Sequence, residues 1–515
     1  MKLAFDVVVV GGGASGLSAG IEAAAAGART VVLEKNAQPG GSSRLSVGSI
    51  NAAGSSLQKR AGIVDTPDEH FADMDHYMGA FASRENLALR RLLVDNAAGT
   101  LDWLMSLGLS FHGPTADPPH RHPRMHNVLP NSRAYPYYLG REARRRGVDL
   151  RLGARVLRLL RDEDGGVRGV QAMLDGRAVE IEARRGVILA AGDYSNSREL
   201  KQRFRPELAA IPGVNPTATG DGHQMAEAFG ARLLNGEVIY GPGLRFAEPA
   251  RPNFVRRLPP SWLLGKLMQL ALDHLPVALF RPFVMSFMTA SLGPEAALLR
   301  AGAVLVNADG KRFADELAQP GLAISQQPGG RAWLVFDDRV ARMFSGPPHH
   351  VSTAPGVAFA YLPDYRRHRK DLYHCAGELG ALARSVGMAP DTLRASIGQH
   401  NAALADGAAA NRGPVVQAPF HALGPLESRI VITDGGLAVN ASHQVLDEEG
   451  AVIPRLYAAG AVGQGGALLA GNGHHLCWAV TSGRRAGRFA ADESPPQQQD
   501  GSFRPSGARS TSPGT

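Results

Sequence analysis

Several features are scarce in this sequence, and each scarcity excludes a class of protein. Only two cysteines occur, Cys375 and Cys477, and their separation fits neither a disulfide framework nor a cysteine metal site. No run of about 18 or more uncharged apolar residues is present, so we expect no membrane-spanning helix. The short apolar run from Phe5 to Val10 leads straight into glycines, which is not the layout of a signal peptide. The sequence therefore predicts a cytoplasmic protein without a bound metal.

Concentrated positive charge is also missing. The formal net charge is +8, but the arginines are spread along the chain and cluster only at Arg141 and from Arg144 to Arg146. That spacing is typical of the solvated face of a helix and gives little support to a nucleic-acid partner. We expect the partner to be a small-molecule substrate.

What is present begins with a strand, a helix and a second strand at the amino terminus. An apolar run from Asp6 to Val10 is followed by a glycine turn, an alanine-rich helix from Gly16 to Ala26 and a second apolar run from Thr30 to Leu33. The turn reads Gly-x-Gly-x-x-Gly, and an acidic residue, Glu34, closes the second strand. Because these elements occur together at this spacing, the segment predicts a dinucleotide-binding unit.

Each element of this unit has a physical role in holding an adenosine diphosphate. Gly11 permits the tight turn, Gly13 lets the backbone approach a pyrophosphate, and Gly16 lets helix and strand touch. The helix N-terminus that follows favours negative charge. A carboxylate at Glu34 can accept hydrogen bonds from both ribose hydroxyls and would repel a 2′-phosphate, so NADP is disfavoured.

Further blocks follow in order along the chain. They are Glu34-Lys35 with Gly40-Gly41-Ser42-Ser43, Ala190-Ala191-Gly192, Thr219-Gly220-Asp221-Gly222, the run from Gly302 to Glu316, Gly435-Gly436, and Leu456-Tyr457-Ala458-Ala459-Gly460. With the first unit, these blocks resemble the flavoprotein subunit family of fumarate reductase and succinate dehydrogenase, which also contains the 3-ketosteroid dehydrogenases. The resemblance implies FAD as the cofactor. It also implies an α/β fold, in which a discontinuous Rossmann-like FAD domain of the glutathione-reductase type carries an inserted α+β cap domain.

Changes in pattern along the chain predict the domain boundaries. Proline-interrupted apolar helices mixed with short strands indicate the cap, and a tail rich in Pro, Gln, Ser and Gly cannot bury enough apolar surface to order itself. The boundaries are 1–226 for the first part of the FAD domain, 227–350 for the cap, 351–492 for the second part of the FAD domain and 493–515 for a disordered tail. Within the first part, Val179–Ala183 and Val187–Gly192 are predicted to be separate strands.

The motif and the resemblance together predict the residues that contact FAD. They are Gly11, Gly13, Ala14, Ser15, Gly16, Glu34, Lys35, Gly41, Ser42, Ser43, Val156, Ala191, Gly192, Asp221, Gly460 and Gly473. No histidine follows Gly41 in the segment where membrane-complex members of the family attach FAD covalently, so the resemblance implies non-covalent FAD. Ala461 stands where many members carry a Glu that binds the ribityl chain, so that hydrogen bond is missing or comes from elsewhere.

The family's usual acid–base and substrate-binding residues are absent. Shortly after the block that ends at Glu316 here, fumarate reductases of the family carry a proton-donating Arg and 3-ketosteroid 1-dehydrogenases a Tyr that acts as the base. Pro320 occupies that position, Ile432 matches the fumarate-binding His, and about Leu468 matches the Arg clamp. Without those cations a dicarboxylate would be poorly held, so we exclude fumarate as the substrate.

Three other side chains are candidates for the catalytic group. His474 and His475 precede the C-terminal helix, whose start faces the pyrimidine side of the flavin in this family. An imidazole there can hydrogen-bond a substrate carbonyl or move a proton, although one of the two can equally cap the helix or fill the core. Tyr361 lies near the predicted return from the cap to the FAD domain, where a phenol can act as an acid or base.

The predicted reaction is oxidation or reduction of a carbon–carbon bond next to a carbonyl. The first choice is dehydrogenation of an apolar cyclic or steroid-like ketone by hydride transfer to flavin N5. An alternative is an enoate reductase, similar to a fumarate reductase, that acts on a substrate other than a dicarboxylate. An alternative of another class is an FAD-binding protein that has lost catalysis, because Pro320 can neither donate nor accept a side-chain proton.

One apolar stretch, from Trp262 to Met288, stands apart from the cofactor blocks. It is rich in Leu, Phe, Met and Val with scattered charges, and Pro276 divides it into two predicted amphipathic helices. The preferred interpretation is that both helices pack against the core of the cap. The composition also leaves open a peripheral membrane contact through residues 262–288.

Overall fold

A mostly parallel sheet built from both ends of the chain forms one layer of the fold in the computed structural model, which describes residues 3–249, 254–275, 277–354, 358–405 and 412–493. In spatial order, its strands are Gln444–Leu446, Val452–Ala458, Arg177–Leu189, Leu3–Val10, Thr30–Glu34 and Asp149–Leu152. Arg155–Arg161 and Val167–Leu174 extend it as an antiparallel hairpin beside Arg177–Leu189. The predicted α/β class is confirmed.

The strand Leu3–Val10 is central in this sheet. It pairs in parallel with Thr30–Glu34 on one side and with Arg177–Leu189 on the other. Val7, Val8 and Val9 are fully buried, as expected for a parallel strand that is covered on both faces. Both neighbouring strands therefore end at the same edge as the glycine turn that follows Val10.

Two helices from opposite ends of the chain cross closely on this sheet. They are Ala14–Ala25 and His474–Asp492. A Cβ atom on Gly483 would lie 2.3 Å from the carbonyl oxygen of Ser15, and one on Gly487 would lie 2.3 Å from that of Ala19. Only glycine at these two positions lets the helices approach this closely.

One continuous strand, Arg177–Leu189, replaces the two strands predicted between residues 179 and 192. Ile181 and Ala183 are buried, while Glu182 and Arg184 are exposed. The prediction of a break was wrong because these charged residues occupy the outward positions of a half-buried strand, where they are compatible with pairing on both sides.

A second, antiparallel sheet forms the cap. Its strands are Gly243–Phe246, Phe420–Arg429, Arg331–Asp337 and Val304–Asn307 in that order, with Tyr373–Ala376 also paired to Phe420–Arg429. Two of these strands lie beyond residue 350, the predicted end of the cap. The boundary prediction placed them in the FAD domain because it followed local pattern, whereas their pairing partners lie in the cap. On this topology we propose that the cap ends near Arg429.

Two short ladders join the cap to the FAD domain. Leu233–Leu234 pairs with Gly436–Leu437, and Ile239–Tyr240 pairs with Ile432–Thr433, both antiparallel. The second ladder brings Tyr240 next to the segment that leads into the Gly435-Gly436 block.

The remaining elements complete both parts. A small sheet contains Ser49–Asn51, Met125–Leu129 and Ser110–Thr115, and Ser352–Ala354 pairs with Ala358–Ala360. Helices outside the cap are Gly41–Leu45, Ser56–Arg60, Pro67–Asp73, Asp75–Met78, Leu87–Ser106, Ala134–Arg145, Arg198–Phe204 and Asp221–Glu227. Helices of the cap are Phe254–Arg257, Trp262–His274, Val277–Ser291, Ala296–Arg300, Pro320–Ser325, Asp338–Met343, Leu362–His368, Leu379–Val386 and Pro390–Ala405.

Two sequence expectations concern the ends and the apolar segments of the chain. The predicted disordered tail lies outside the described residues, apart from Glu493. Within the described ranges, none of the helices combines the length and the apolar character that crossing a membrane requires.

Candidate active site

A cleft opens at the carboxyl ends of the central parallel strands, where ligands of such sheets usually bind. Its volume is about 1130 Å³, including space open to solvent. Most of the residues predicted to contact FAD line it. These are Gly11, Gly13, Ala14, Ser15, Glu34, Lys35, Gly41, Ser42, Ser43, Val156, Ala191, Gly192 and Asp221.

Three predicted FAD contacts lie outside the cleft wall and permit close packing instead. A Cβ atom on Gly16 would lie 1.8 Å from the carbonyl oxygen of Gly11, so helix and strand touch there. A Cβ on Gly460 would lie 2.7 Å from Ser15 Oγ, and one on Gly473 would lie 2.7 Å from the backbone nitrogen of Asn51. We therefore assign these three glycines to the scaffold that holds the cleft.

The glycine turn and Glu34 fit an adenosine diphosphate. Gly13 has its nearest non-local atom, the oxygen of Gly40, 3.9 Å from where a Cβ would stand, so its face toward the cleft is open. Glu34 accepts hydrogen bonds from the Gly12 backbone nitrogen at 2.7 Å and, at 2.8 Å, from the backbone nitrogen of Asn36. The Asn36 side-chain amide also donates to it, at 2.7 Å. Since a carboxylate has about four acceptor sites, room remains for one ribose hydroxyl.

Charge on the neighbouring wall is neutralised within the protein. Lys35 Nζ lies 2.6 Å from Thr219 Oγ1 and 3.1 Å from Asp221 Oδ2. Burial opposes ionisation of Asp221, but the hydrogen bond from Thr219 and the charge of Lys35 lower its pKa. Lys35 is therefore paired and does not offer a free cation to a dicarboxylate.

Gln464 is a candidate to replace the cofactor contact that Ala461 cannot make. Ala461 and Gln464 both line the cleft. The side chain of Gln464 is fully buried, and its nitrogen donates to the Ala467 oxygen at 2.8 Å. Its Oε1 has no hydrogen-bond partner among the described residues. A buried orphan acceptor calls for a ligand donor, and a ribityl hydroxyl fits that need. Sequence reasoning missed Gln464 because it sought the contact only at position 461.

Three side chains from separate elements meet at the other end of the cleft. His475 Nε2 lies 2.6 Å from Asp434 Oδ1, and Tyr240 donates its hydroxyl to Asp434 Oδ2 at 2.7 Å. The Leu469 backbone nitrogen also donates to Asp434 Oδ2, at 2.9 Å. Asp434 is fully buried, whereas the His475 side chain is 21% exposed and lines the cleft.

These contacts keep Asp434 ionised and Tyr240 protonated. Burial alone would raise the pKa of Asp434, but the nearby His475 imidazole and the hydrogen bonds outweigh it and lower that pKa. Burial and the Asp434 charge raise the pKa of Tyr240. By contrast, burial raises the pKa of neighbouring Asp193, which also lines the cleft, to about 6. The arrangement gives His475 an oriented ring with a carboxylate behind it.

His474, the second predicted candidate, points away from the cleft into a buried group of histidines. Its Nδ1 lies 2.7 Å from the Ala470 oxygen and therefore carries the proton, while its Nε2 lies 3.1 Å from His70 Nε2. Nitrogens of His70, His120 and His474 lie within 4.8 Å of one another. Arg124 Nη1 is 3.0 Å from His120 Nδ1, and this cation disfavours a metal ion beside it. The catalytic prediction for His474 is replaced by a core role.

Tyr361, the third candidate, does not reach the cleft either. It precedes the helix Leu362–His368 in the cap, and its backbone nitrogen donates to Asp364 Oδ2 at 2.8 Å. The Arg281 guanidinium carbon lies 5.3 Å from the centre of its ring. We therefore drop Tyr361 from the candidate site, because it packs within the cap.

The wall around His475 carries aliphatic side chains beside the polar Asp193 and Gln464. Ile432, Leu469 and Leu476 line this end of the cleft. The only Lys or Arg side chains in the described part of the wall are Lys35 and Arg155, and both act on Asp221. Leu468 stands where the family carries an Arg. Among the described residues of the wall, no other cation is free to replace that Arg.

Comparison with known proteins identifies the family to which this chain belongs. The family model described as "FAD binding domain" matches residues 6–250 and 270–473. A probable fumarate reductase, Ifc3, of Shewanella frigidimarina is 27% identical over 94% of this chain and 74% of its own. The vinyl phenol reductase of Lactiplantibacillus plantarum is 27% identical over 95% of this chain and 96% of its own.

A solved structure supports the same family assignment. The open conformation of a flavocytochrome c3 fumarate reductase matches with a TM-score of 0.72 and 25% identity, over 95% of this chain and 78% of that one. The chain therefore belongs to the FAD binding domain family, and the predicted resemblance is confirmed. It is an FAD-dependent oxidoreductase, in the class of reductases and dehydrogenases that act on carbon–carbon bonds.

Asp434 and Tyr240 were not among the predicted site residues. Asp434 stands directly before Gly435-Gly436, two positions after the Ile432 that matches the family's substrate-binding His. An acidic residue directly before a glycine block of the FAD domain is a signal from which Asp434 could have been predicted as a site residue. Tyr240 carries no such signal, because only the ladder with Ile432–Thr433 brings it to the site.

Proposed function

We propose that this protein reduces the carbon–carbon double bond of an α,β-unsaturated carbonyl compound that is not a dicarboxylate, with His475 as the proton donor. The observation that carries the proposal is the 2.6 Å contact between His475 Nε2 and the buried Asp434 carboxylate, at the wall of the cleft.

The reaction needs two things at the double bond: a hydride on one carbon and a proton on the other. FAD, when bound and reduced, supplies the hydride. Asp434 stabilises the positive charge of a protonated His475, and Tyr240 and the Leu469 amide fix the carboxylate behind it. Because the His475 side chain is 21% exposed, it can give a proton to substrate and regain one from solvent.

The substrate class follows from the wall. Ile432, Leu469 and Leu476 favour apolar groups, and the described residues of the wall offer no unpaired cations near them for two carboxylates. The printed names of two relatives describe a probable fumarate reductase and a vinyl phenol reductase. Both names describe reduction of an alkene. In the second the alkene is attached to an aromatic ring and has no carbonyl beside it, so that name supports an apolar substrate next to these aliphatic side chains and says nothing of the carbonyl.

Dehydrogenation of an apolar cyclic or steroid-like ketone is the second candidate. It is the reverse reaction, in which His475 would take up the proton that leaves the substrate. The aliphatic side chains of the wall favour such a ring as much as they favour an apolar enone. The direction is therefore a question for experiment.

We further propose that FAD is held without a covalent bond. Between Gly41 and Ser46, beside the cleft, the chain has no histidine to attach it. Acid precipitation of the purified protein should leave all yellow flavin in the supernatant. Flavin that stays with the precipitated chain would contradict this proposal.

The test of function follows the flavin spectrum under anaerobic conditions. Dithionite-reduced protein is mixed with cinnamate esters, cyclic enones, steroid enones and fumarate, and oxidised protein is mixed with the saturated ketones. We expect fast reoxidation by an apolar enone and slow or no reoxidation by fumarate. Bleaching of the oxidised protein by a saturated ketone alone would support the second candidate. A spectrum that no compound changes would indicate a binding protein without catalysis.

A further inference from the structure

The cap helix Trp262–His274 is apolar on most of its surface, and four of its large apolar side chains face solvent, where an ordinary surface helix exposes polar residues. Trp262 is 55% exposed, Leu263 59%, Leu267 54% and Leu270 57%. Leu263, Leu267 and Leu270 follow one another at the spacing of one helix face. We call these four residues the leucine face.

The opposite side of the same helix is anchored to the protein. Gly265 is buried, and a Cβ atom there would lie 3.1 Å from Ser110 Oγ. Asp273 Oδ1 lies 3.7 Å from His112 Nδ1. The helix is therefore held in place from its inner side, and the leucine face is left outside as a fixed surface.

A basic groove lies next to the start of the helix. It is lined by Arg44, Arg133, Arg141 and Arg144, with Tyr137 and with Pro260, which stands two residues before Trp262. No acidic residue lines this groove among the residues described there. Arg141 and Arg144 are exposed, and Lys266 on the helix is exposed as well. Burial and the neighbouring Arg133 lower the pKa of Arg44, as expected where like charges are crowded.

We infer that the leucine face and the basic groove together dock this protein on the surface of an anionic lipid bilayer. A helix that carries Trp and Leu outward beside arginines is the arrangement that inserts into the headgroup region of a membrane. Its apolar side chains enter the acyl boundary, and the guanidinium groups contact lipid phosphates. Docking of this kind is independent of the proposed reaction.

A second copy of the chain is the main rival as occupant. A symmetric dimer through the leucine face would bring the same basic groove of each copy toward the other, since two-fold contacts use one patch on both subunits. The arginines of the two copies would then repel. Charge complementarity therefore favours an anionic surface over a second copy.

The test uses the full-length, flavin-loaded protein and two kinds of vesicle, phosphatidylcholine alone and phosphatidylcholine mixed with phosphatidylglycerol. We expect co-sedimentation with the mixed vesicles, weakened by added salt. The double variant Leu263→Gln/Leu267→Gln should lower the partition coefficient on the order of tenfold or more. Leu87→Gln is the matched control, because Leu87 is 53% exposed on another helix, and it should bind as the wild type does.

A charge variant separates the two parts of the surface. Arg141→Gln/Arg144→Gln should lower binding to the mixed vesicles by roughly tenfold to thirtyfold and leave the weak binding to phosphatidylcholine unchanged. Flavin absorbance and thermal melting check that each variant is folded.

Three results would overturn the inference. The first is wild-type protein that stays in the supernatant with the mixed vesicles. The second is a leucine-face variant that pellets as well as the wild type. The third is a wild-type dimer in size-exclusion chromatography that Leu263→Gln/Leu267→Gln converts to a monomer, which would make a second copy the occupant.

Discussion

The glycine turn and Glu34 in the cleft wall come from a single stretch of chain, residues 11–43, whereas the site around His475 is assembled from three distant elements. The first region, the glycine end, consists largely of backbone and small side chains around Glu34. The second, the histidine end, depends on Tyr240, Asp434 and His475, which meet only in the folded protein. The glycine end is thus set by local geometry, and the histidine end by strand pairing far along the chain.

This difference separates binding from chemistry. Damage to the glycine end should remove the cofactor and with it all activity. Damage to the histidine end should leave the flavin in place and slow the reaction.

Gly13→Leu should give a folded protein without flavin. The backbone at Gly13, with φ of −73°, accepts any residue, and its side chain would project into the open cleft. The leucine would therefore occupy space that the cofactor needs, and we expect loss of essentially all bound FAD. Flavin absorbance at purification measures this. Gly99→Leu, on an exposed helix position with no atom within 4 Å of a Cβ, is the control and should stay yellow. A yellow Gly13→Leu protein would contradict the assignment.

Asp434→Asn and His475→Ala should each slow flavin reoxidation by an enone by about 10²–10⁴-fold, the usual contribution of a general acid. The reason is that His475→Ala removes the proton donor, and Asp434→Asn removes the negative charge that stabilises the protonated donor. FAD content should be unchanged. The double variant should be no slower than the slower single variant, because the two residues act as a unit. Additive losses in stopped-flow traces would show that they act separately.

Tyr240→Phe should have a smaller effect on the same step, about threefold to tenfold, because the Tyr240 hydroxyl acts on His475 only through Asp434 and a typical hydrogen bond contributes about 1 kcal/mol. The variant removes the 2.7 Å hydrogen bond to Asp434 but keeps the ring and the Leu469 amide contact. Measured rates equal to those of Asp434→Asn would mean that Tyr240 itself takes part in proton transfer.

His474→Gln should change stability and leave the rate of flavin reoxidation nearly unchanged. Burial, followed by nearby positive groups, lowers the pKa of His474 to about 4 and that of His120 to about 3. The unfolded chain therefore binds more protons than the folded protein between about pH 6.5 and 4. These two histidines therefore contribute most to the free energy of unfolding above pH 6.5, and their contribution is lost as the pH is lowered through that window.

Denaturant titrations at several pH values check this prediction. With one buried histidine removed, the free energy of unfolding of His474→Gln should depend less steeply on pH between about 6.5 and 4. His274→Gln, at an exposed position, is the control and should keep the wild-type slope. Equal slopes in His474→Gln and the wild type would contradict the buried neutral state.

The difference between the glycine end and the histidine end also explains which features could be predicted from the sequence. The strand Leu3–Val10, the glycine turn and Glu34 are contiguous, and each has one physical reason to be there, so the α/β fold and most of the glycine end were predictable. His475 could be named because it stands at the start of the last helix. Its neighbour His474 could not be separated from it, since adjacent residues at a helix start point to different sides and only packing decides which one faces the cleft.

Other features depend on contacts that are distant in the chain. Tyr373–Ala376 and Phe420–Arg429 look locally like parts of either domain, and their pairing with cap strands is what places them. Asp434 is an ordinary acidic residue in the sequence. It becomes a buried carboxylate only when His475, Tyr240 and the Leu469 amide surround it.

The most direct test of the central claim is anaerobic stopped-flow reoxidation of the dithionite-reduced protein by an apolar enone, comparing the wild type with His475→Ala at equal flavin content. The account predicts rapid reoxidation of the wild type and a rate at least about 100-fold lower in the variant. Equal rates in the two proteins would remove His475 from the chemistry and contradict the account.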